Sequence, residues 1–263
     1  MNVNPATQAP PRAVFTALAG FPEVLPGADL VSLLADALRE TGITLLDGDI
    51  LVLASKIVAK AEGRLVDLGQ VKPGPRAIEV AGQTGKDPRL VELILGESDV
   101  ISRMRPGLLI VRHKLGFTSA NAGIDHSNVC QPEGSEMVLL LPEAPDASAA
   151  ALRSTLRERL GADVGIVIAD SHGRPFRLGT VGVALGVAGL PALWDRRGDP
   201  DRQGVALEYT EVGTADEIAA AAGLLMGQAG ESMPVVHIRG LSLPPIQGRA
   251  ADLIRPRELD VYL

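Results

Sequence analysis

Apolar positions along the chain fall into two periods, and the predicted elements follow from them. Leu30, Leu33, Leu34, Ala37 and Leu38 recur at helical spacing, which predicts an amphipathic helix with Asp29 as N-cap and Gly42 as its stop. Uninterrupted apolar runs predict buried strands at residues 50–54, 108–111, 138–141, 164–169 and 234–238, with a short one at 65–66. Residues 115–119 are expected to pair with 108–111 through a turn at His113-Lys114. Residues 73–82 and 87–95 read as short helices, the second opened by Asp87-Pro88. Ala149, Leu152, Leu156 and Leu160 form another stripe, capped by Asp146-Ala147-Ser148 and stopped by Gly161. Thr214-Ala215-Asp216-Glu217 reads as a capping box before an Ala-rich helix through Met226. Strands alternating with helices predict an α/β chain with mixed sheets.

Composition narrows the picture. A chain of 263 residues, 46% hydrophobic, buries a full core as one large domain or two interlocked ones. Aromatics are 3% against 29 Gly and 19 Pro, so the core is aliphatic and the turns many. A net charge of −7 and a pI near 5.2 argue against nucleic-acid or anionic-membrane partners, leaving an anionic ligand to local Lys, Arg and metal. The single Cys130 excludes an internal disulfide framework and suits a reducing cytoplasm; neither a membrane-span run nor a signal pattern is present. Residues 1–13 read as a mobile tail, 14–241 as the folded domain and 242–263 as linker-like.

Candidate chemistry clusters at three places. The run 165–169 gives way to Asp170-Ser171-His172-Gly173-Arg174-Pro175-Phe176-Arg177, which places a carboxylate at a strand end and two guanidiniums in the following loop. The strand 50–54 hands over to Ser55-Lys56-x-x-x-Lys60; if helical, both ammonium groups share one face. Lysine is scarce in this chain, so the pair stands out: five lysines against twenty arginines. The third cluster is Asn121-Ala122-Gly123-Ile124-Asp125-His126-Ser127-Asn128. Asp125 with Asp170 fits a hard-metal site for Mg²⁺ or Mn²⁺ bridged to substrate phosphates. Each cluster by itself also reads as a solvated polar turn.

Other groups offer less. His126 near Cys130 lacks an orienting acid, and His172 beside Ser171 lacks the geometry of a dyad. Four scattered His and one Cys show no zinc spacing. Neither the Rossmann nor the Walker phosphate fingerprint occurs, so the glycines at 179, 182, 186 and 189 read as sites of close backbone packing. Residues 195–202 read as a solvated charged loop.

Taken together, these segments resemble the coenzyme F420-0:L-glutamate ligase family. The matching stretches are Gly20-Phe21-Pro22-Glu23, the run from Asp49 through Ser55-Lys56 and Lys60 to Arg64, and Asn121-Ala122-Gly123-Ile124-Asp125-His126-Ser127-Asn128. Asp170-Ser171-His172-Gly173-Arg174-Pro175-Phe176-Arg177 and Leu224-Leu225-Met226-Gly227-Gln228-Ala229 complete the set. The resemblance implies GTP-dependent addition of L-glutamate to coenzyme F420-0, and in a further round to F420-1, by a γ-linked amide with release of GDP and phosphate. It implies one or two Mg²⁺ or Mn²⁺ ions, room for K⁺, and a homodimer intertwined in a fold peculiar to the family. By position, Asp125, Asp170 and Ser171 would ligate metal. Phe21, Pro22, Glu23, Val24, Ser55, Lys56, Lys60 and Asn128 would line the nucleotide site, with the loop Met226, Gly227, Gln228, Ala229, Gly230, Glu231 and Ser232. Gln228 stands where some members carry Glu, so a second ion would meet a neutral ligand. The ending from Leu253 is similar to the linker of bifunctional members that continue into a flavin-binding domain.

The chemistry expected on this reading is acyl phosphate formation from a carboxylate and GTP, followed by attack of the glutamate amine, with no side-chain nucleophile. Asp125, Asp170, Lys60 and Arg174 or Arg177 are the expected catalytic groups. The alternatives are a metal-dependent nucleotide hydrolase or phosphotransferase using the same carboxylates, and a non-catalytic binding protein.

Overall fold

A computed structural model describes residues 10–259. Most of the tail expected at 1–13, and the last four residues of the expected linker, lie outside the described residues. The chain runs β1 (Val14–Ala17), α1 (Leu30–Thr41), β2 (Ile50–Ala54), α2 (Ser55–Ala61), β3 (Leu65–Asp67), α3 (Pro75–Thr84) and α4 (Pro88–Gly96). It continues through β4 (Ser98–Arg105), β5 (Leu108–His113), β6 (Thr118–Ala120), β7 (Met137–Leu139), α5 (Pro145–Leu160) and β8 (Gly165–Arg174). Then come β9 (Arg177–Ala188), β10 (Trp194–Asp195), β11 (Glu211–Val212), α6 (Thr214–Met226) and β12 (Val235–Arg239).

The main sheet has the order β1-β12-β2-β8-β9, and β2 and β8 are its parallel pair, matched from Ile50↔Gly165 to Ala54↔Ala169. Both faces of β2 are covered, which is why its sequence is apolar without alternation. Leu51 and Leu53 pack with α1 and α5, through Leu34, Leu38, Leu152 and Leu156, while Ile50 and Val52 pack with Ile218, Ala219 and Ala222 of α6. Burying one such Leu contributes about 2–3 kcal/mol. A second layer of structure holds the sheet β4-β5-β6, covered by α3 and α4 through Ala77, Val80, Val91, Ile94, Leu109 and Val111. The mixed α/β class therefore stands, spread over several sheets.

Two sequence expectations fail in an informative way. The strand carrying Asp170 does not end there. It runs on to Arg174 and pairs with β9 as a long antiparallel hairpin, Asp170↔Val183 and Ser171↔Gly182 among the pairs. β9 occupies the glycine-rich run, and its glycines do admit close backbone approach. A Cβ on Gly182 would strike the Ala219 carbonyl of α6, and one on Gly186 the Pro145 carbonyl of α5.

The second failure concerns the caps. α5 and α6 begin at Pro145 and Thr214 with no side-chain cap bond. Asp146 Oδ1 instead accepts from the amides of Val187 and Ala250, both at 2.8 Å, and Asp216 Oδ1 accepts from Ala184 N at 2.8 Å. β9 is an edge strand, and its outward amides outcompete the helix ends for these carboxylates. Burial raises the Asp216 pKa above its ordinary value, against the pull of the Ala184 amide. The segment after 242, expected as linker, is tied to the body by Gly248 N to Leu190 O at 2.9 Å and by buried Ala250.

Candidate active site

The parallel pair sets the site. One step beyond its last matched residues, Ala54 and Ala169, stand Ser55 and Asp170, and the Ser55 hydroxyl donates to Asp170 Oδ1 at 3.1 Å. Strand alternation puts His172 on the same face as Asp170. Its Nε2 lies 3.1 Å from Asp170 Oδ2, and its ring rests 4.9 Å from Phe117, which in turn stacks on His113 at 5.0 Å. Sequence reasoning weighed His172 only against Ser171; the i, i+2 spacing within a strand was the signal for its true partner.

α2 begins at Ser55, so its first turn carries Lys56 and its second Lys60. Lys60 is buried, 6% exposed, and its ammonium donates to Glu23 Oε1 at 2.5 Å. Lys56 Nζ lies 2.6 Å from Asp125 Oδ2 and 2.7 Å from Ser127 Oγ. Asp125 is fixed by main-chain bonds to Leu139 in both directions and by the Ser127 amide on Oδ1 at 2.7 Å. Burial pulls the Asp125 pKa upward, but the Lys56 ammonium and the Ser127 bonds outweigh it and hold the carboxyl below its ordinary range.

Backbone strain concentrates here. Of the five non-glycine residues with positive φ among the described residues, Asn121 and Ala122 form the turn leading to Asp125, while Asn128 and Ser232 border the cavity itself. Such conformations cost on the order of 1 kcal/mol or more each and persist where the surroundings enforce them. The Asn128 side chain donates to Ala229 O at 3.3 Å, joining the Asp125 loop to the loop after α6.

All of this surrounds one cavity of about 720 Å³. It brings together Phe21, Pro22, Glu23, Val24, Ser55, Lys56, Lys60, Asp125, Asn128, Asp170 and Ser171 with Met226, Gly227, Gln228, Ala229 and Ser232. Gly230 and Glu231 lie outside its lining; the Glu231 carboxylate turns back onto Ala229 N at 2.7 Å, and its pKa is lowered by that amide. Arg174 and Arg177 sit at the far end of the β8–β9 hairpin, where the Arg174 guanidinium approaches Leu178 O at 3.5 Å, away from the lining. Thr180, Ser119 and Ser127 border the cavity without having been singled out as ligands.

Among the described residues, no group of three or more His, Cys, Asp or Glu side chains is arranged to hold a metal. The donor set still suits a hard cation: two carboxylates with hydroxyls beside them leave positions for water and phosphate oxygens, as Mg²⁺ prefers. The Lys56 ammonium on Asp125 shows that this carboxylate accepts a cation.

Fold and site together define an α/β protein whose cavity gathers two lysine ammonium groups and two Asp carboxylates. The profile described as F420-0:Gamma-glutamyl ligase matches residues 20–240. A coenzyme F420:L-glutamate ligase of Methanothermobacter thermautotrophicus is 49% identical over 245 residues, covering 92% of this chain and 96% of the relative. Ligases of the same name from Methanopyrus kandleri, 46% identical over 91% of this chain and 93% of the relative, and Halobacterium salinarum, 42% identical over 85% of each, are similar too. The chain belongs to the F420-0:gamma-glutamyl ligase family. Among the described residues no helix is long and apolar enough to cross a membrane.

Proposed function

We propose that this protein joins L-glutamate to coenzyme F420-0, and in a second round to F420-1, at the expense of GTP. The observation that carries this reading is the convergence of Asp125, Asp170, Lys56 and Lys60 on one cavity in a chain of this family. An acceptor carboxylate oxygen attacks the γ-phosphorus of GTP, the bond to the bridging oxygen breaks, and GDP leaves. The glutamate amine then attacks the acyl carbon of the resulting acyl phosphate; the carbon–oxygen bond breaks, phosphate departs, and the amine proton passes to solvent. The result is an amide, γ-linked where the acceptor is a glutamate already in place.

Asp125, Asp170 and Ser171 would hold Mg²⁺ or Mn²⁺, with Gln228 for a second ion, and the ion would supply charge neutralisation at the phosphates. The protein's own part is positioning. Ser55 and His172 fix the Asp170 carboxylate from two sides. Lys60, with one acceptor among its three donors, has capacity left for a phosphate oxygen.

A homodimer is part of the proposal. Leu178 at 99% and Phe176 at 92% exposure project from the β8–β9 hairpin, large apolar groups of the kind a second subunit covers. A solution mass of one chain would remove that element.

The test is GDP release from GTP with Mg²⁺ or Mn²⁺, with and without coenzyme F420-0 and L-glutamate, following product mass. Release requiring both substrates, with products heavier by glutamyl units, is expected. Release without glutamate incorporation would overturn the ligase in favour of a hydrolase or phosphotransferase.

A further inference from the structure

The two carboxylates of the cavity are held differently. Asp170 is bound by the Ser55 hydroxyl and the His172 ring, and among the described residues it has no Lys or Arg ion pair. Asp125 carries the Lys56 ammonium on Oδ2 at 2.6 Å. The same oxygen accepts from Ser127 Oγ at 2.9 Å, and Lys56 donates to that hydroxyl at 2.7 Å. The three groups close a triangle, and the Ser127 amide occupies Oδ1. Lys60 takes no part in it, since its ammonium is committed to Glu23 on the other wall.

A divalent ion and an ammonium on one carboxylate repel each other strongly, because neither is fully screened at that range. Metal entry at Asp125 therefore competes with Lys56. A nucleotide changes the competition, because its phosphate oxygens carry more negative charge than a single carboxylate that already accepts two bonds from Ser127. The lysine side chain has the reach and the freedom to follow: it is 29% exposed and, among the described residues, its ammonium is held by these two contacts.

We infer that Lys56 is an exchangeable counter-cation for Asp125. It neutralises and orients the carboxylate while the site is empty and surrenders it to a divalent ion when a polyphosphate draws the ammonium away. This rests on the reading of Asp125 as a metal ligand. Metal and nucleotide each have to break the same ion pair, so whichever binds first spares the other that cost. Linkage then makes their binding cooperative through Lys56, in addition to any direct contact between them.

The experiment is Mn²⁺ binding to the purified full chain without nucleotide, read by the loss of the free-ion electron paramagnetic resonance signal. It is repeated with guanylyl imidodiphosphate. Lys56→Met is expected to bind Mn²⁺ alone about threefold more tightly than wild type, the middle of the range for an ion pair of this exposure. Lys56→Arg, which keeps the charge, should match wild type, and the enhancement of Mn²⁺ affinity by the nucleotide analogue should shrink in Lys56→Met. Lys56→Gln, uncharged but still a donor, should follow Lys56→Met and guards against a folding defect in either variant. Unchanged or weaker Mn²⁺ binding in both uncharged variants, with wild-type circular dichroism, would overturn the inference while leaving Asp125 a ligand. Wild-type Mn²⁺ affinity in Asp125→Asn would instead remove the ligand itself, and the inference with it.

Discussion

Ser55 and Asp170 are 115 residues apart in sequence, yet the Ser55 hydroxyl donates to Asp170 Oδ1 at 3.1 Å. The contact follows from register. β2 and β8 run parallel and in step, so the residues immediately beyond Ala54 and Ala169 come side by side at the carboxyl end of the pair, where open α/β sheets present ligands. One strand then turns into α2, while the other continues into the hairpin with β9.

Asp170→Asn keeps the shape and the Ser55 contact but loses the charge. Turnover should fall by roughly a hundredfold or more, with the melting temperature close to wild type. Wild-type rates of GDP release in this variant would exclude Asp170 from the metal site.

Lys60→Met fills the same buried space without the ammonium. Glu23, with its side chain 62% exposed, is left in water, so stability should change little. Loss of a charge-assisted bond to phosphate should weaken GTP binding by roughly tenfold to a hundredfold. Calorimetric titration of the nucleotide decides it; an unchanged Kd would leave Lys60 a structural partner of Glu23.

Gly182→Ala tests the packing of α6 on β9. The new methyl would meet the Ala219 carbonyl, which is backbone and cannot step aside. A loss of about 2–3 kcal/mol is expected, seen as a fall in Tm of roughly 4–12 °C. A Tm within a degree of wild type would show that the helix can lift freely.

Asp49, at the opposite end of β2 from the site, predicts an acid response. It is 2% exposed and bound by His237 Nε2 at 2.9 Å, by Arg239 through Nε at 2.8 Å and Nη2 at 2.6 Å, and by the Leu46 amide. Burial alone would raise its pKa; Arg239, His237 and the amide prevail and hold it down to about 2. A carboxyl depressed on folding contributes stability that is complete above the unfolded value near 4 and is lost as pH falls toward 2. The contribution is about 2 kcal/mol. Urea midpoints from pH 6 to 2 should fall more steeply for wild type than for Asp49→Asn, and parallel curves would refute the assignment.

Much of this was legible in the sequence where one physical signal dominated. The Asp29 cap, the Gly42 stop and the doubly buried strand Ile50–Ala54 follow from periodicity and cap chemistry, and all are present. The clusters around Ser55, Asp125 and Asp170 were visible as polar groups at strand ends, and their convergence on one cavity agrees with the family resemblance. β4 (Ser98–Arg105) was missed, because its charged residues alternate on a half-covered surface instead of forming an apolar run. β9 was missed because glycine weakens strand propensity, and only the approach of α5 and α6 explains why glycine is there. Asp146 and Asp216 were misread because a carboxylate near a helix start has a local amide to bind, and sequence does not show a more distant one.

Those two carboxylates have a consequence for association. An edge strand with free amides is a template on which another chain can grow the sheet. Asp146 and Asp216 occupy the outward amides of Val187 and Ala184, so the sheet is blocked to recruitment at those two positions. Neutralising them would open a seam for strand addition, and the damage would appear as concentration-dependent fibrous assembly before any loss of the folded core.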